Sequence, residues 1–93
     1  MIISQLHYFS YNWRSYLDTA KAFGVVLKKL RKEAKLTQEK LGFDADLRRT
    51  YISILELGEQ QPSLTTILKL ASALNIPANE LISQVEELLQ STN

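Results

Sequence analysis

The stretch TQEKLGFDADLRRTYISILEL, residues 37–57, decides the fold because it holds two short helical patterns separated by a turn. The first pattern starts at Thr37, which is well placed as its N-cap, and Glu39 lies in the first turn, where the helix dipole favours an acid. The turn falls at residues 44–46, since aspartate tolerates a left-handed backbone at moderate cost. The second pattern runs from about residue 47 to residue 57, and Gly58 ends it.

Helical spacing of apolar residues continues on both sides of this stretch, and strand-like alternation is absent. A helix from about residue 18 to residue 35 carries the apolar stripe Phe23, Val26, Leu27, Leu30 and Ala34. A fourth helix, capped by Ser63, has the predicted buried face Leu64, Ile67, Leu68, Ala71 and Leu74. A fifth follows Ile76–Pro77 and carries Leu81, Ile82, Val85, Leu88 and Leu89. The chain is therefore predicted to be all-α, with five helices.

Length and composition exclude several classes of protein. The 93 residues fit one domain, and no cysteine is present for a disulfide or a thiolate metal site. No apolar segment approaches the roughly 20 residues of a membrane span, and residues 1–7 do not resemble a signal peptide. We expect a cytoplasmic protein. The single histidine lacks a matching acid or nucleophile, and no glycine-rich phosphate loop occurs, so we expect no enzyme, no metal, no cofactor and no small-molecule ligand.

Charge is unevenly distributed along the chain although the net charge is only +1. Nine basic residues outnumber four acids between residues 21 and 49, whereas residues 50–93 contain one base and five acids. Such a basic half either faces phosphates or forms an ordinary solvated helix face. Charge alone does not distinguish these two interpretations.

The start of the third helix favours DNA. Its outward residues are predicted to be Arg48, Arg49, Thr50, Tyr51 and Ser53. A helix-turn-helix presents the start of its second helix to base edges in the major groove, where arginine pairs with guanine and serine or threonine adapts to several bases. This arrangement predicts a protein that binds double-stranded DNA.

Four runs resemble the Cro and phage-repressor (Xre-type) helix-turn-helix family: LRKEAKLTQEKL at 30–41, TYISILELG at 50–58, QPSL at 61–64 and LKLASAL at 68–74. The resemblance covers about residues 23–88 and implies a lambda-repressor-like domain. Within the family, RTYIS at 49–53 is most similar to the controller proteins of restriction–modification systems.

The resemblance also implies roles for individual residues. Gln38 matches a glutamine that touches the DNA backbone and braces the third helix. Arg49, Thr50 and Ser53 match base-reading positions, with Arg48 and Tyr51 close by, and Gln60 and Gln61 match a phosphate-binding loop. Arg31 and Glu56 match a pair that ties helix one to the end of helix three.

Four positions depart from the family pattern. Asp46 stands where glycine is usual in the turn, and Gly42 replaces the alanine that usually packs between the two helices. Ile54 and Leu57 occupy positions that are often polar or basic, so we expect them to expose apolar surface and to replace a contact with the DNA backbone.

The two ends of the chain suggest roles beyond DNA reading. Helix five has more apolar residues than the fold needs, so Ile82, Val85, Leu88 and Leu89 are predicted to form a homodimer interface. Residues 1–17 form an aromatic extension before a domain at 18–90, and we expect the extension to lengthen helix one; packing on the dimer and partial disorder are the alternatives.

We therefore predict a bacterial or phage-derived, nucleoid-associated transcription regulator that binds a palindromic operator as a homodimer. The alternative is an antitoxin-like protein-interaction module with secondary DNA binding. Ile54, Leu57 and the aromatic extension favour that alternative.

Overall fold

Five helices and no strand form within residues 18–91, the part of the chain that this computed structural model describes. The helices are α1 (Thr19–Glu33), α2 (Gln38–Ala45), α3 (Arg49–Glu56), α4 (Leu64–Ala73) and α5 (Ala78–Ser91). The predicted all-α, five-helix fold is confirmed. None of these helices has both the length and the apolar character needed to cross a bilayer.

Side-chain caps set the starts of three helices. The Thr37 hydroxyl accepts the Lys40 backbone N–H at 3.0 Å, and the Ser63 hydroxyl accepts that of Thr66 at 3.1 Å, so both predicted caps are confirmed. Asp18 caps α1 in the same way, with an extended backbone at φ −74° and ψ 172°. Helix α1 therefore begins at Thr19, and residues 1–17, on which the expected lengthening of helix one depends, lie outside the described part.

Four helices end at residues with a left-handed backbone: Lys35, Asp46, Gly58 and Asn75. The next residue then donates its N–H back into the helix, as Leu47 does to the Gly42 carbonyl at 2.8 Å. Asp46 has φ 58°, as the sequence predicted for the turn. Three of the following residues, Leu36, Leu47 and Ile76, pack against the core, which is the hydrophobic contact that accompanies this helix ending.

The core draws on all five helices. Its largest fully buried side chains are Leu27, Leu41, Ile52, Leu55, Leu70 and Leu81. Helix α1 packs against α3 and α5, while α2 packs against α3 and α4. The central position of α3 in this arrangement fixes it firmly while leaving its first turn at the surface.

The predicted buried face of α4 is partly wrong. Leu64 and Leu68 are 71% and 52% exposed, whereas Leu70 and Thr66 are buried. Helix α4 is apolar around much of its circumference, so periodicity alone does not decide which of two adjacent stripes faces the core. Ala34, predicted to be in the α1 stripe, is exposed because it is the residue at which α1 ends.

Candidate nucleic-acid interface

The first turn of α3 projects three consecutive polar side chains into solvent. Arg48 precedes the helix with an extended backbone, and its carbonyl accepts the N–H groups of Tyr51 and Ile52 at 3.0 and 3.1 Å. Arg48, Arg49 and Thr50 are exposed. Within residues 18–91 neither arginine forms an ion pair, so both guanidinium groups remain available to an external anion or base.

The opposite side of α3 is anchored in the core. Ile52 and Leu55 are fully buried, as predicted from the sequence. Tyr51 and Ser53 are half-buried beside them. Their placement leaves part of each side chain accessible on the flanks of the exposed first turn.

A buried ion pair fixes the last turn of α3 to α1. The Arg31 Nε and Nη2 groups donate to the two oxygens of the Glu56 carboxylate at 2.6 and 3.0 Å. The side chains are only 10% and 4% exposed, and the predicted pairing of Arg31 with Glu56 is confirmed. The hydrogen bond to Glu56 raises the pKa of Arg31 despite the opposing effect of burial. The fork-to-fork geometry fixes orientation as well as distance.

Two further hydrogen bonds extend this ion pair into a cluster. Arg31 Nη1 donates to the Leu36 carbonyl at 2.8 Å, and Gln38 Nε2 donates to Glu56 Oε1 at 3.0 Å. Gln38 is the first residue of α2, so the cluster joins α1, α2 and α3. We name Arg31, Leu36, Gln38 and Glu56 the bracing cluster. Gln38 braces the third helix as expected, and its amide retains a second N–H and a carbonyl oxygen for other contacts.

Two glycines permit close approaches to α3. A Cβ on Gly42 would lie 2.7 Å from the Leu47 carbonyl oxygen, so the short turn between α2 and α3 requires its absence. A Cβ on Gly24 would clash with the Leu55 carbonyl oxygen, where α1 crosses the end of α3. Glycine at position 42, in place of the alanine that is usual in the family, therefore fits this turn. The role of Gly24 had no local signal in the sequence, because its contact is made across the fold.

The remaining predicted DNA contacts lie beyond the end of α3. Gln60 and Gln61 are exposed in the loop before α4. Leu57, beside that loop, is exposed as expected from its apolar departure, while Ile54 is half-buried. The structure thus leaves the start of α3 and this loop both open to solvent.

Helix α2 carries a basic side chain whose contacts were not predicted. Lys40 Nζ lies 3.0 Å from Asp44 and 5.6 Å from the centre of the exposed Phe43 ring. The four-residue spacing of Lys40 and Asp44 is a signal that could have revealed the pair. Asp46 faces Lys69 at 3.8 Å, a contact between helices that the sequence did not indicate.

The residues proposed for the dimer interface differ in burial. Ile82 is exposed, and Leu88 and Leu89 are partly buried against the core. Val85 is buried within its own chain, which leaves little of its side chain for a second subunit. Val85 was included because sequence spacing does not distinguish a core residue from an interface residue on the same helix.

Comparisons with known proteins agree with this geometry. Residues 27–81 match a family of helix-turn-helix domains. Control protein C.MunI of Mycoplasma is 44% identical over 71 residues, covering 75% of this chain and 96% of the relative. Control protein C.BamHI of Bacillus amyloliquefaciens is 39% identical over 61 residues, covering 64% of this chain and 75% of the relative. The crystal structure of the restriction–modification controller protein C.AhdI from Aeromonas hydrophila superposes with a TM-score of 0.65 at 44% identity, covering 67% of this chain and 94% of that protein.

Proposed function

Because this chain belongs to the Xre-type helix-turn-helix family of DNA-binding transcription regulators, we propose that it binds a palindromic operator as a homodimer and controls its own or a linked gene. The observation that supports this proposal most directly is the first turn of α3. There Arg48, Arg49 and Thr50 are exposed and unpaired within the described chain. The bracing cluster holds that turn in a fixed orientation.

Each residue near the interface is assigned a part in DNA binding. Arg49, Thr50 and Ser53 read base edges, with Arg48 and Tyr51 contacting bases or phosphates nearby. Gln38, at the N-terminus of α2, and Gln60 and Gln61, in the loop before α4, contact the DNA backbone. Phosphate contacts supply most of the affinity, whereas contacts to base edges supply the sequence preference.

Selection of sites from a random double-stranded library tests the proposal. The selected site and a scrambled control are then titrated by fluorescence anisotropy at several salt concentrations. We expect a palindromic site preferred by about 10³-fold or more, with affinity falling steeply as salt rises. Equal binding to both DNAs would mean that the protein binds DNA nonspecifically through its basic residues. No binding at all would refute the proposal.

The homodimer is required because one short helix reads only a few base pairs. Two copies related by a twofold axis reach half-sites about 34 Å apart on one face of the duplex. We place the subunit contact on α5, at the predicted residues Ile82, Leu88 and Leu89. Val85 is left out of this interface because it is buried in its own chain.

Ile82→Glu is expected to convert the dimer into a monomer, because an unpaired carboxylate would be buried in the subunit contact. Ser83→Glu places the same charge at the next, exposed position of α5 and is the matched control. Sedimentation of both variants measures the change. A dimer that survives Ile82→Glu would place the interface elsewhere.

A protein-interaction module is the second candidate function, favoured by the exposure of Leu57 at the end of α3 and of Phe43 on α2. An apolar surface beside the DNA-facing turn suits contact with another protein. Stoichiometric co-purification of an unrelated protein that is lost with Leu57→Ser would support this function. A homodimer that purifies alone and binds its selected site would count against it.

A further inference from the structure

Lys21 of α1 packs on the start of the loop between α3 and α4. Gly58 opens this loop with φ 74°, and a Cβ on it would lie 2.7 Å from Lys21 Cγ and 2.8 Å from Lys21 Cα. The stem of Lys21 is therefore held against the backbone of the loop. Its ammonium group lies three bonds beyond Cγ, on a residue that is exposed.

The ammonium group of Lys21 is unpaired within the described residues. Two acids are close to it along the chain or across the contact: Asp18, one turn earlier on α1, and Glu59, next to Gly58. Asp18 accepts the backbone N–H of Lys21 at 2.8 Å, and the ion pairs of residues 18–91 join other side chains. A lysine whose stem is packed and whose charge is free suits an anion outside the chain.

The same loop carries further groups that can bind an anion. Gln60 and Gln61 are exposed, and within the described chain their backbone N–H groups and side-chain amides have no hydrogen-bond partner. Gln60 lies no more than about 7 Å from Gly58, because two residues span no more than that when extended. Lys21 and Gln60 can therefore reach the same phosphate group or two adjacent ones.

The loop lies at the opposite end of α3 from its exposed first turn. Helix α3 has eight residues and is about 12 Å long, close to the width of the major groove. When the first turn of α3 enters the groove, the other end of the helix lies near the groove's edge, where the sugar–phosphate backbone runs. Lys21 is therefore placed beside phosphates and away from base edges.

Position distinguishes Lys21 from other exposed lysines of α1. Lys29 donates to Gln84 of α5 at 3.4 Å, away from the loop. Lys28 lies on the same face of α1 as Lys21 and is also exposed. It lies two turns further on, about 10 Å along the helix axis from the residue that contacts Gly58. Lys28 therefore provides a matched control for the charge of Lys21.

We propose that Lys21 binds a DNA phosphate at the edge of the major groove in each half-site, beside the contacts of Gln60 and Gln61. This inference rests on the proposed DNA binding and extends the DNA interface to a residue of α1. An ammonium group acts on a phosphate as a compact point charge. Lys21 therefore contributes affinity and salt dependence but no sequence preference.

Lys21→Met tests the proposal, because it removes the charge and keeps an unbranched stem against Gly58. We expect it to bind about 10-fold to 50-fold more weakly at 0.1 M salt, with equal losses for the selected and the scrambled DNA. The slope of log affinity against log salt concentration becomes shallower by about two units, one for each subunit. Lys21→Arg keeps the charge and is expected to restore both quantities, whereas Lys28→Met is expected to change neither.

Methylphosphonate scanning of the selected site locates the contact, because each substitution neutralises one phosphate. We expect one position in each half-site at which the substitution weakens binding of the unsubstituted protein but not of Lys21→Met. Urea unfolding is expected to be the same for Lys21→Met and Lys28→Met, since neither ammonium group forms an ion pair within residues 18–91.

The outcomes separate this inference from the proposed function. An unchanged salt slope in Lys21→Met, with normal binding by the unsubstituted protein, would overturn the role of Lys21 and leave the operator proposal standing. An equal loss in Lys28→Met would also overturn it, because the effect would then belong to the whole basic face of α1. A loss confined to the selected DNA would contradict a phosphate contact. An unsubstituted protein that binds neither DNA would overturn both proposals.

Discussion

Glu56→Gln is expected to destabilise the domain by about 3–5 kcal/mol, because it leaves the buried Arg31 guanidinium without a compensating charge. Both side chains are almost inaccessible, at 10% and 4% exposure, so water cannot replace the lost carboxylate. A domain of this size is stable by only about 5–15 kcal/mol, so the loss removes a large part of the free energy of unfolding. Urea unfolding followed by circular dichroism at fixed protein concentration measures the change.

Asp44→Asn is the matched control for this loss of a carboxylate. It breaks the exposed Lys40–Asp44 pair, whose side chains are 57% and 30% exposed, and is expected to change stability by no more than about 0.5 kcal/mol. The double variant Arg31→Met, Glu56→Leu removes both buried charges and is expected to recover most of the stability lost in Glu56→Gln. A loss below about 1 kcal/mol in Glu56→Gln would contradict the assigned role of the ion pair.

The bracing cluster also links stability to DNA binding. Arg31 belongs to α1, Gln38 to α2 and Glu56 to α3, and their hydrogen bonds converge on one carboxylate. A change at Glu56 therefore alters how α3 sits against α2, even in molecules that remain folded. We expect folded Glu56→Gln to bind DNA less tightly than Asp44→Asn, although neither side chain is proposed to read a base.

Local chemistry explains which parts of the fold were predictable from the sequence. The caps Thr37 and Ser63 and the left-handed Asp46 each depend on neighbours within four residues, so short stretches of sequence specify them. The pairing of Arg31 with Glu56 came from family resemblance, because nothing local connects residues 25 positions apart.

The features that the sequence did not reveal depend on packing between distant elements. Gly24 is needed because α1 crosses the Leu55 carbonyl, a contact that no helical periodicity encodes. Periodicity also predicted burial for Leu64 and Leu68, which are exposed. It placed Val85 at a subunit contact, although Val85 is buried in its own chain. An amphipathic pattern predicts an apolar stripe on a helix. It does not indicate whether that stripe faces the core, a second subunit or solvent.

Arg49→Ala is expected to weaken binding to the selected operator by about 2–6 kcal/mol, or roughly 30-fold to 10⁴-fold. One arginine that reads a guanine contributes about 1–3 kcal/mol, and the proposed homodimer makes that contact twice. Lys28→Ala removes the same charge from an exposed position on α1 and is the matched control, with little change expected. Anisotropy titrations against the selected and scrambled DNA measure both variants.

The pattern of loss distinguishes a base contact from a phosphate contact. If Arg49 reads bases, Arg49→Ala weakens the selected site far more than the scrambled DNA, and the sequence preference relaxes at one position in each half-site. If Arg49 binds phosphate, both DNAs weaken alike and the salt dependence becomes shallower by about one unit for each arginine lost. Unchanged binding would refute the assignment of the first turn of α3 as the reading surface. The bracing cluster lies at the other end of α3, so Arg49→Ala should leave the free energy of unfolding nearly unchanged. A loss of affinity in this variant would then reflect DNA recognition and not folding.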